Sequence, residues 1–297
     1  MAGTSQGLGA VLNVQSTLQK LWQFIETTIR ILLLSKWKVT LPKTDNTSCV
    51  ILGNGPSFKN MLNQHAPFLD GKELACVNHF PTTDFYTTLK PKYYITSAPD
   101  LWLEDIDQHF MNQSEKLFEA MVAKTDWDLI MFIPYEARKF QKWQNLIAQN
   151  KHITVVYFNN TPVEGWEGFR HWCFKRNWGM PRPHNVMIPS ITLTLNMGFN
   201  NIFLWGADHS WLSEISVTQD NRVLINQKHF YDHEHSKGKP LDKRGKGERN
   251  LPELLTKLVH AFNGYFILET YSRYRKANIR NATPNSLIDA FERIDLN

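Results

Sequence analysis

The densest run of ionisable side chains is His229-Phe230-Tyr231-Asp232-His233-Glu234-His235. An imidazole titrates near neutral pH, so His229, His233 and His235 are each able to take a proton from a hydroxyl, with a neighbouring carboxylate to orient the ring. His-x-His spacing is also a metal pattern, for which Asp232 or Asp208 would be a further ligand. The plainer reading is a solvated loop that happens to hold histidines. The Gly- and Lys-rich stretch 236–250 that follows reads as a flexible lid whose cations meet phosphates.

A second pattern joins an apolar strand, Cys49–Leu52, to Gly53-Asn54-Gly55-Pro56-Ser57. Two glycines let backbone approach a ligand closely, Pro suits a first helical position, and a helix N-terminus offers N–H groups to an anion. Phe58 follows Ser57, so the third glycine of the dinucleotide fingerprint is missing, and no Walker-type phosphate loop is present. Standard NAD and P-loop sites are thereby excluded. An ordinary strand-to-helix turn and a site for another nucleotide both stay open.

Three further strand ends carry polar residues: Asn78-His79-Phe80, Ser97-Ala98-Pro99-Asp100 and Gly206-Ala207-Asp208-His209-Ser210. Ligands of open α/β sheets bind beyond the carboxyl ends of the strands, so these residues are expected on one rim with Asn54. Asp126-Trp127-Asp128 has the DxD form of many metal-dependent sugar transferases. It precedes its strand instead of following it, and is read as a false match.

The elements that must hold these residues alternate. Strands are expected at Ser48–Leu52, Leu74–Val77, Tyr93–Thr96, Leu129–Ile133, Ile153–Phe158, Ile202–Trp205 and Ile279–Ala282. Helices are expected at Leu103–Val122 (with Glu104, Asp105 and Asp107 in its first turn), Ala137–Ala148, Val186–Met197 and Ser286–Phe291, and two helical stretches within 250–276. A hairpin or excursion is expected around Asp220-Asn221. The pattern predicts an α/β, Rossmann-like fold: a mostly parallel sheet with helices on both faces. Residues 46–297 read as one domain and residues 1–45 as an N-terminal helical appendage.

The chain has 297 residues, 42% hydrophobic and 21% charged, which excludes collagen-like and wholly disordered classes. Three cysteines without CxxC spacing speak against a disulfide framework or a thiolate zinc site and for a reduced, cytoplasmic setting. The net charge of +5 is localised: segment 236–250 carries +4 and residues 1–45 carry +3, leaving about −2 elsewhere. A polynucleotide binder would spread a basic face over the fold, so nucleic acid is not an expected partner. No secretory leader is expected, and the apolar run at 29–34 is too short to span a bilayer. Leu18, Leu21, Trp22, Ile25, Ile29, Leu32 and Leu33 share one helical face, and Lys20, Arg30, Lys36, Lys38, Trp22 and Trp37 give it an interfacial character. The favoured expectation is packing on its own domain or on another copy as a homo-oligomer. Peripheral contact with the inner face of the cytoplasmic membrane is the alternative.

Taken in order, Gly53-Asn54-Gly55-Pro56-Ser57, Asn78-His79-Phe80 and Met197-Gly198-Phe199 with Gly206-Ala207-Asp208 resemble the bacterial sialyltransferases of the CST type, glycosyltransferase family 42. They are similar as well to broader relatives with a domain of unknown function, among them an archaeal hydroxymethylpterin pyrophosphokinase. Pro284-Asn285-Ser286-Leu287 resembles the family's C-terminal segment. The likeness covers residues 48–100 and 184–293.

The resemblance implies a GT-A-type fold, a CMP-activated sugar donor, a glycan acceptor and inverting transfer with neither metal nor cofactor. Nucleotide contacts carry over onto Gly53, Asn54, Gly55, Pro56, Ser57 and Asn78, with Asp100 on the same rim. The family's catalytic histidine falls on His233 by spacing from His229, or on His235 by the Ser236-Lys237 that follows; His233 is favoured, with Asp208 beside the site. The tyrosine that steadies the leaving phosphate in the family falls on Ser210, so Tyr231 and the basic loop are the substitutes. The family's active-site Arg has no counterpart: Arg182 is offset by about one position, and His184 is nearby. The expected function is transfer of an acidic sugar, sialic-acid-like or Kdo-like, from a nucleotide to a glycan. Mg²⁺-dependent diphosphate transfer through Asp100, Asp208 and Asp232 is the first alternative. A non-catalytic scaffold of surface-polysaccharide assembly is the second.

Overall fold

The computed structural model describes residues 3–226, 229–231, 238–241 and 247–296, with side chains from residue 16 onward. Apolar runs with few polar interruptions form the strands of one eight-stranded sheet: β1 (Ser48–Leu52), β2 (Glu73–Val77), β3 (Tyr93–Ile95), β4 (Leu129–Pro134), β5 (Ile153–Phe158) and β6 (Asn201–Trp205). The sheet also holds the later strands β10 (Asn278–Asn281) and β11 (Glu292–Arg293). Every pairing in it is parallel, in the order β11-β10-β6-β1-β2-β3-β4-β5. The α/β, Rossmann-like expectation therefore holds.

Alternation along each strand divides the core in two. Cys49 and Ile51 join a cluster with Cys173, Phe174, Ile188, Ile191, Tyr265 and Tyr271, carried by α6 (Glu167–Lys175), α7 (Met187–Met197) and α8 (Leu251–Tyr274). Val50 and Leu52 point the other way, into Phe58, Met61, Tyr86, Phe118 and Trp143 of α2 (Phe58–His65), α3 (Phe85–Leu89), α4 (Gln108–Lys124) and α5 (Lys142–Ile147). Helix α7 is buried at every position, consistent with a sequence, MIPSITLTLNM, that contains no charge. The three cysteines are buried and free.

The sheet is wound from β1 outward to β5, and the chain then returns to the other side of β1 to lay down β6. The order reverses between β1 and β6, which opens a crevice at their carboxyl ends. A small antiparallel sheet follows, of β7 (Ile215–Val217), β8 (Val223–Ile225) and β9 (Lys239–Pro240). The hairpin expected at Asp220-Asn221 is present, turned by Asn221 at φ +61°.

Four expected elements differ. Helix α4 begins at Gln108 rather than Leu103, because Asp107 caps it by accepting the His109 N–H at 2.8 Å. Ala137–Ala148 splits into a 3₁₀ turn, Tyr135–Lys139, and α5. The two helical stretches after residue 250 are one helix, α8; Gly264 does not break it but lets α7 approach, since a Cβ there would lie 2.8 Å from Ile188 Cδ1. Ser286–Phe291 is not a helix. Its polar groups are spent on the β6 turn, through Leu287 N–H to Asp208 O at 3.0 Å and Ser286 Oγ–H to Ala207 O at 2.7 Å.

Helix α1 (Gly3–Leu34) is longer than its apolar pattern suggests, and the face that docks on the protein is not the most apolar one. Thr27 and Ile31 are buried, and Phe24 packs edge-on against Phe169 at 4.5 Å. Glu164 holds the helix through Arg30 at 3.1 Å and receives a second arginine, Arg182, at 3.3 Å. Leu18, Leu21, Trp22, Ile25, Ile29, Leu32 and Leu33 are instead exposed, contrary to the expectation that they pack on their own domain. Among the described residues no helix is long and apolar enough to cross a membrane.

Candidate functional site

The crevice between β1 and β6 widens into a cleft of about 870 Å³. Its floor is two touching turns. Gly53 N–H donates to Trp205 O at 2.7 Å and Gly55 N–H to Gly206 O at 2.8 Å. A Cβ on Gly53 would lie 2.5 Å from Gly206 O, and one on Gly55 would lie 1.9 Å from Asp208 Oδ2. Both glycines are therefore required by the approach of the β6 turn, not by a phosphate.

Asp208 caps the turn after β1. Its Oδ1 accepts the Ser57 N–H at 3.1 Å and its Oδ2 the Ser57 hydroxyl at 2.9 Å. Burial pushes its carboxyl above the ordinary range, against the pull of those two bonds. The expectation of N–H groups open to an anion at this helix start is thus corrected at Gly53, Gly55 and Ser57. Each already has an acceptor within the protein.

The lining of the cleft is polar and incompletely satisfied. Asn54 is 8% exposed; its Nδ2–H donates to Val77 O at 3.1 Å, while its Oδ1 has no partner. Asn78, held at φ +48° after β2, leaves its Oδ1 without a partner too. So do His184 at Nε2, Asn185 at Nδ2 and Arg249 at Nε. These five residues all line the cleft. Buried polar groups ordinarily find partners, so a wall that collects several open ones is built for something polar to complete it.

Most of the expected residues meet here. Gly53, Asn54, Gly55, Pro56, Asn78, Asp100, Asp208, Ser210 and His229 line the cleft. Ser57 sits behind the wall on Asp208. Tyr231 packs against the second core, its ring stacked on His229 at 5.0 Å. His233, His235 and Asp232 lie outside the described residues, as does Lys237. The segment that leads to them is anchored: Phe230 N–H donates to Asn54 O at 2.9 Å, and the Phe230 ring stacks on Phe58 at 4.6 Å. Asp126 of the DxD pattern pairs with Lys90 at 2.8 Å, ahead of β4.

Several cleft residues went unnoticed in the sequence. The start of α8, fixed by a capping box between Asn250 and Glu253, brings Glu253, Thr256, Lys257 and His260 to the wall. His260 stacks on His184, with centroids 5.4 Å apart and planes 10° apart. Burial first, then the charges of His260, Arg182 and Lys257, lower the His184 imidazole to about 4. His209, at φ +53°, is bound at Nε2 to the Tyr265 hydroxyl at 2.5 Å, and burial lowers it to about 3. Tyr265 in turn donates to Asn185 Oδ1 at 3.1 Å, an atom that also accepts the Met187 N–H at 2.9 Å. Asn185 is thereby fixed with its amide nitrogen left over. The stacked pair of His184 and His260 has no local spacing to betray it.

Among the described residues no set of three or more His, Cys, Asp and Glu gathers as a metal cage. Two neutral imidazoles, two amides with open oxygens and two cations, Arg249 and Lys257, offer hydrogen bonds to a polar ligand, charge for an anion and a base for a hydroxyl.

No protein-family model matches the chain, and no curated protein matches it in sequence. Among solved structures, the MAf glycosyltransferase of Magnetospirillum magneticum AMB-1 is similar to it with a TM-score of 0.48 and 14% identity, over 92% of this chain. The chain spans 38% of the length of that protein.

Proposed function

We propose that the chain is a glycosyltransferase that moves an acidic sugar from a CMP-activated donor to a glycan hydroxyl, with inversion and without a metal. The observation that carries this reading is the cleft at the β1–β6 switch, which Asn54 and Asn78, each with a buried side-chain oxygen that lacks a partner in the protein, line together with the basic Arg249 and Lys257. Open amide oxygens suit the hydroxyls and exocyclic amine of a cytidine, and the two cations suit its phosphate. Departure of that phosphate builds up negative charge in the transition state, so cations already in place lower the barrier.

The acceptor hydroxyl gives its proton to a histidine. By the family resemblance this is His233. Two histidines that line the cleft, His184 and His229, are the competing candidates. His184 has an open Nε2 and is neutral at physiological pH, as a base must be.

The test is release of CMP from CMP-activated acidic sugars in the presence of glycan acceptors, in EDTA. Release that requires acceptor, and that falls by about 10²–10⁴ in His233→Ala, supports the reading. The same loss in His184→Ala with His233→Ala intact reassigns the base. Formation of AMP from ATP with Mg²⁺, and no CMP released from the CMP-sugar, replaces the reading with diphosphate transfer.

A further inference from the structure

At 100° per residue, Leu18, Leu21, Trp22, Ile25, Ile29, Leu32 and Leu33 form a stripe about 120° wide on the side of α1 turned away from Thr27 and Ile31. Trp22 is 66% and Leu33 76% exposed. The stripe does not end with the helix. Trp37, half exposed, meets Trp178 at 4.5 Å, and Trp178 meets Trp172 at 4.7 Å, with the Arg176 guanidinium 4.8 Å above the Trp172 ring.

Beside this surface a hollow of about 580 Å³ brings Leu33 and Leu34 together with Lys36, Arg138 and Lys139 around Tyr135. Lys36 Nζ lies 5.4 Å above the Tyr135 ring, and Arg138 donates to the Tyr135 hydroxyl at 2.7 Å. Glu136 is the one acid on this rim. Lys36, Lys38, Arg138 and Lys139 are all exposed. The hollow sits at the carboxyl ends of β4 and β5, on the same edge of the sheet as the cleft.

We infer that this face docks on an anionic lipid bilayer, with the α1 stripe lying in the interface and the Lys36–Arg138–Lys139 hollow at headgroup level. Charge complementarity chooses the occupant. A copy of the same chain would set these cations against themselves, whereas a negatively charged leaflet attracts them. Exposed tryptophans bordering an apolar stripe are the side chains that settle at the water–lipid boundary. The inference is independent of what the cleft catalyses.

The test is cosedimentation of the full chain with vesicles of phosphatidylcholine alone and with phosphatidylglycerol added, at low and high salt. The expected result is binding to the anionic vesicles, weakened by salt, and weakened about fivefold by each of Lys36→Ala and Lys139→Ala. Ile29→Glu with Leu33→Glu should lower binding at least about tenfold with no change in melting temperature, since both positions are exposed. Binding that ignores lipid charge, or that survives the glutamate variant, overturns the inference. So does light scattering that finds a lipid-free dimer which the glutamate variant dissociates, because the stripe would then be a self-association face.

Discussion

Replacement of Gly55 by Ala tests the structure of the cleft floor. The new Cβ would lie 1.9 Å from Asp208 Oδ2 and 2.6 Å from Gly206 O, both far inside contact distance. Asp208 must swing away and release Ser57 N–H and Oγ–H, while the 2.8 Å bond from Gly55 N–H to Gly206 O is strained. Overpacking costs about 1–3 kcal/mol and loss of a capping carboxylate about 1 kcal/mol more, so a total of about 3 kcal/mol is expected. Urea unfolding followed by tryptophan fluorescence should show the midpoint fall with m unchanged. In a chain of 297 residues the melting temperature should drop by roughly 5 °C. A cycle with Asp208→Ala isolates the cause: without the carboxylate, the worst clash is gone, and Gly55→Ala should cost about 1–2 kcal/mol less. Costs that add to within about 0.5 kcal/mol would refute the reasoning, as would a Gly55→Ala protein as stable as the parent.

Asn54→Ala should lose about 1 kcal/mol of stability with its bond to Val77 O, and at least about tenfold in affinity for a cytidine nucleotide measured by calorimetry; unchanged affinity would remove Asn54 from the site. If His184 is the base, the acid limb of kcat/KM should fall near pH 4, whereas a limb near the ordinary histidine value of about 6.5 assigns the proton to another imidazole. Glu164 would be raised by burial, but Arg182 and Arg30 hold it below its ordinary 4.5. Its contribution is therefore present above pH 4.5 and lost as the pH falls below it. Glu164→Gln should accordingly cost about 1 kcal/mol at neutral pH and progressively less as the pH falls below 4.5, seen as lower amide protection factors in α1. Protection factors in the variant equal to the parent's at neutral pH would show that Thr27 and Ile31 hold the helix without it.

The strand-to-helix turns were legible because each joins an apolar run to Gly, Pro, Asn or Asp. Gly53–Pro56, Asn78, Asp100 and Gly206–Ser210 duly share one rim. What the turn does with its N–H groups was not legible, since Asp208 lies 151 positions from Ser57 and spacing cannot report that bond. The helix over 250–276 was expected in two stretches, yet its one internal glycine, Gly264, serves a neighbour, Ile188, and leaves the helix continuous. Ser286–Phe291 looked helical by composition, yet the demand of the β6 turn for partners at Ala207 and Asp208 decides its course. The α1 stripe was visible, but periodicity alone does not say which side of an amphipathic helix the rest of the chain covers. Thr27 and Ile31, anchored beside Glu164, settle that.

The most direct test of the central claim is thermal stabilisation of the chain by CMP, UDP, GDP and ATP, each with Mg²⁺ and with EDTA. A ligand at about 100 times its dissociation constant adds about 2.7 kcal/mol, a rise of about 4 °C here. The account predicts that rise with CMP in EDTA and its loss in Asn54→Ala. A rise with ATP and Mg²⁺ alone, or with no nucleotide at all, would contradict it.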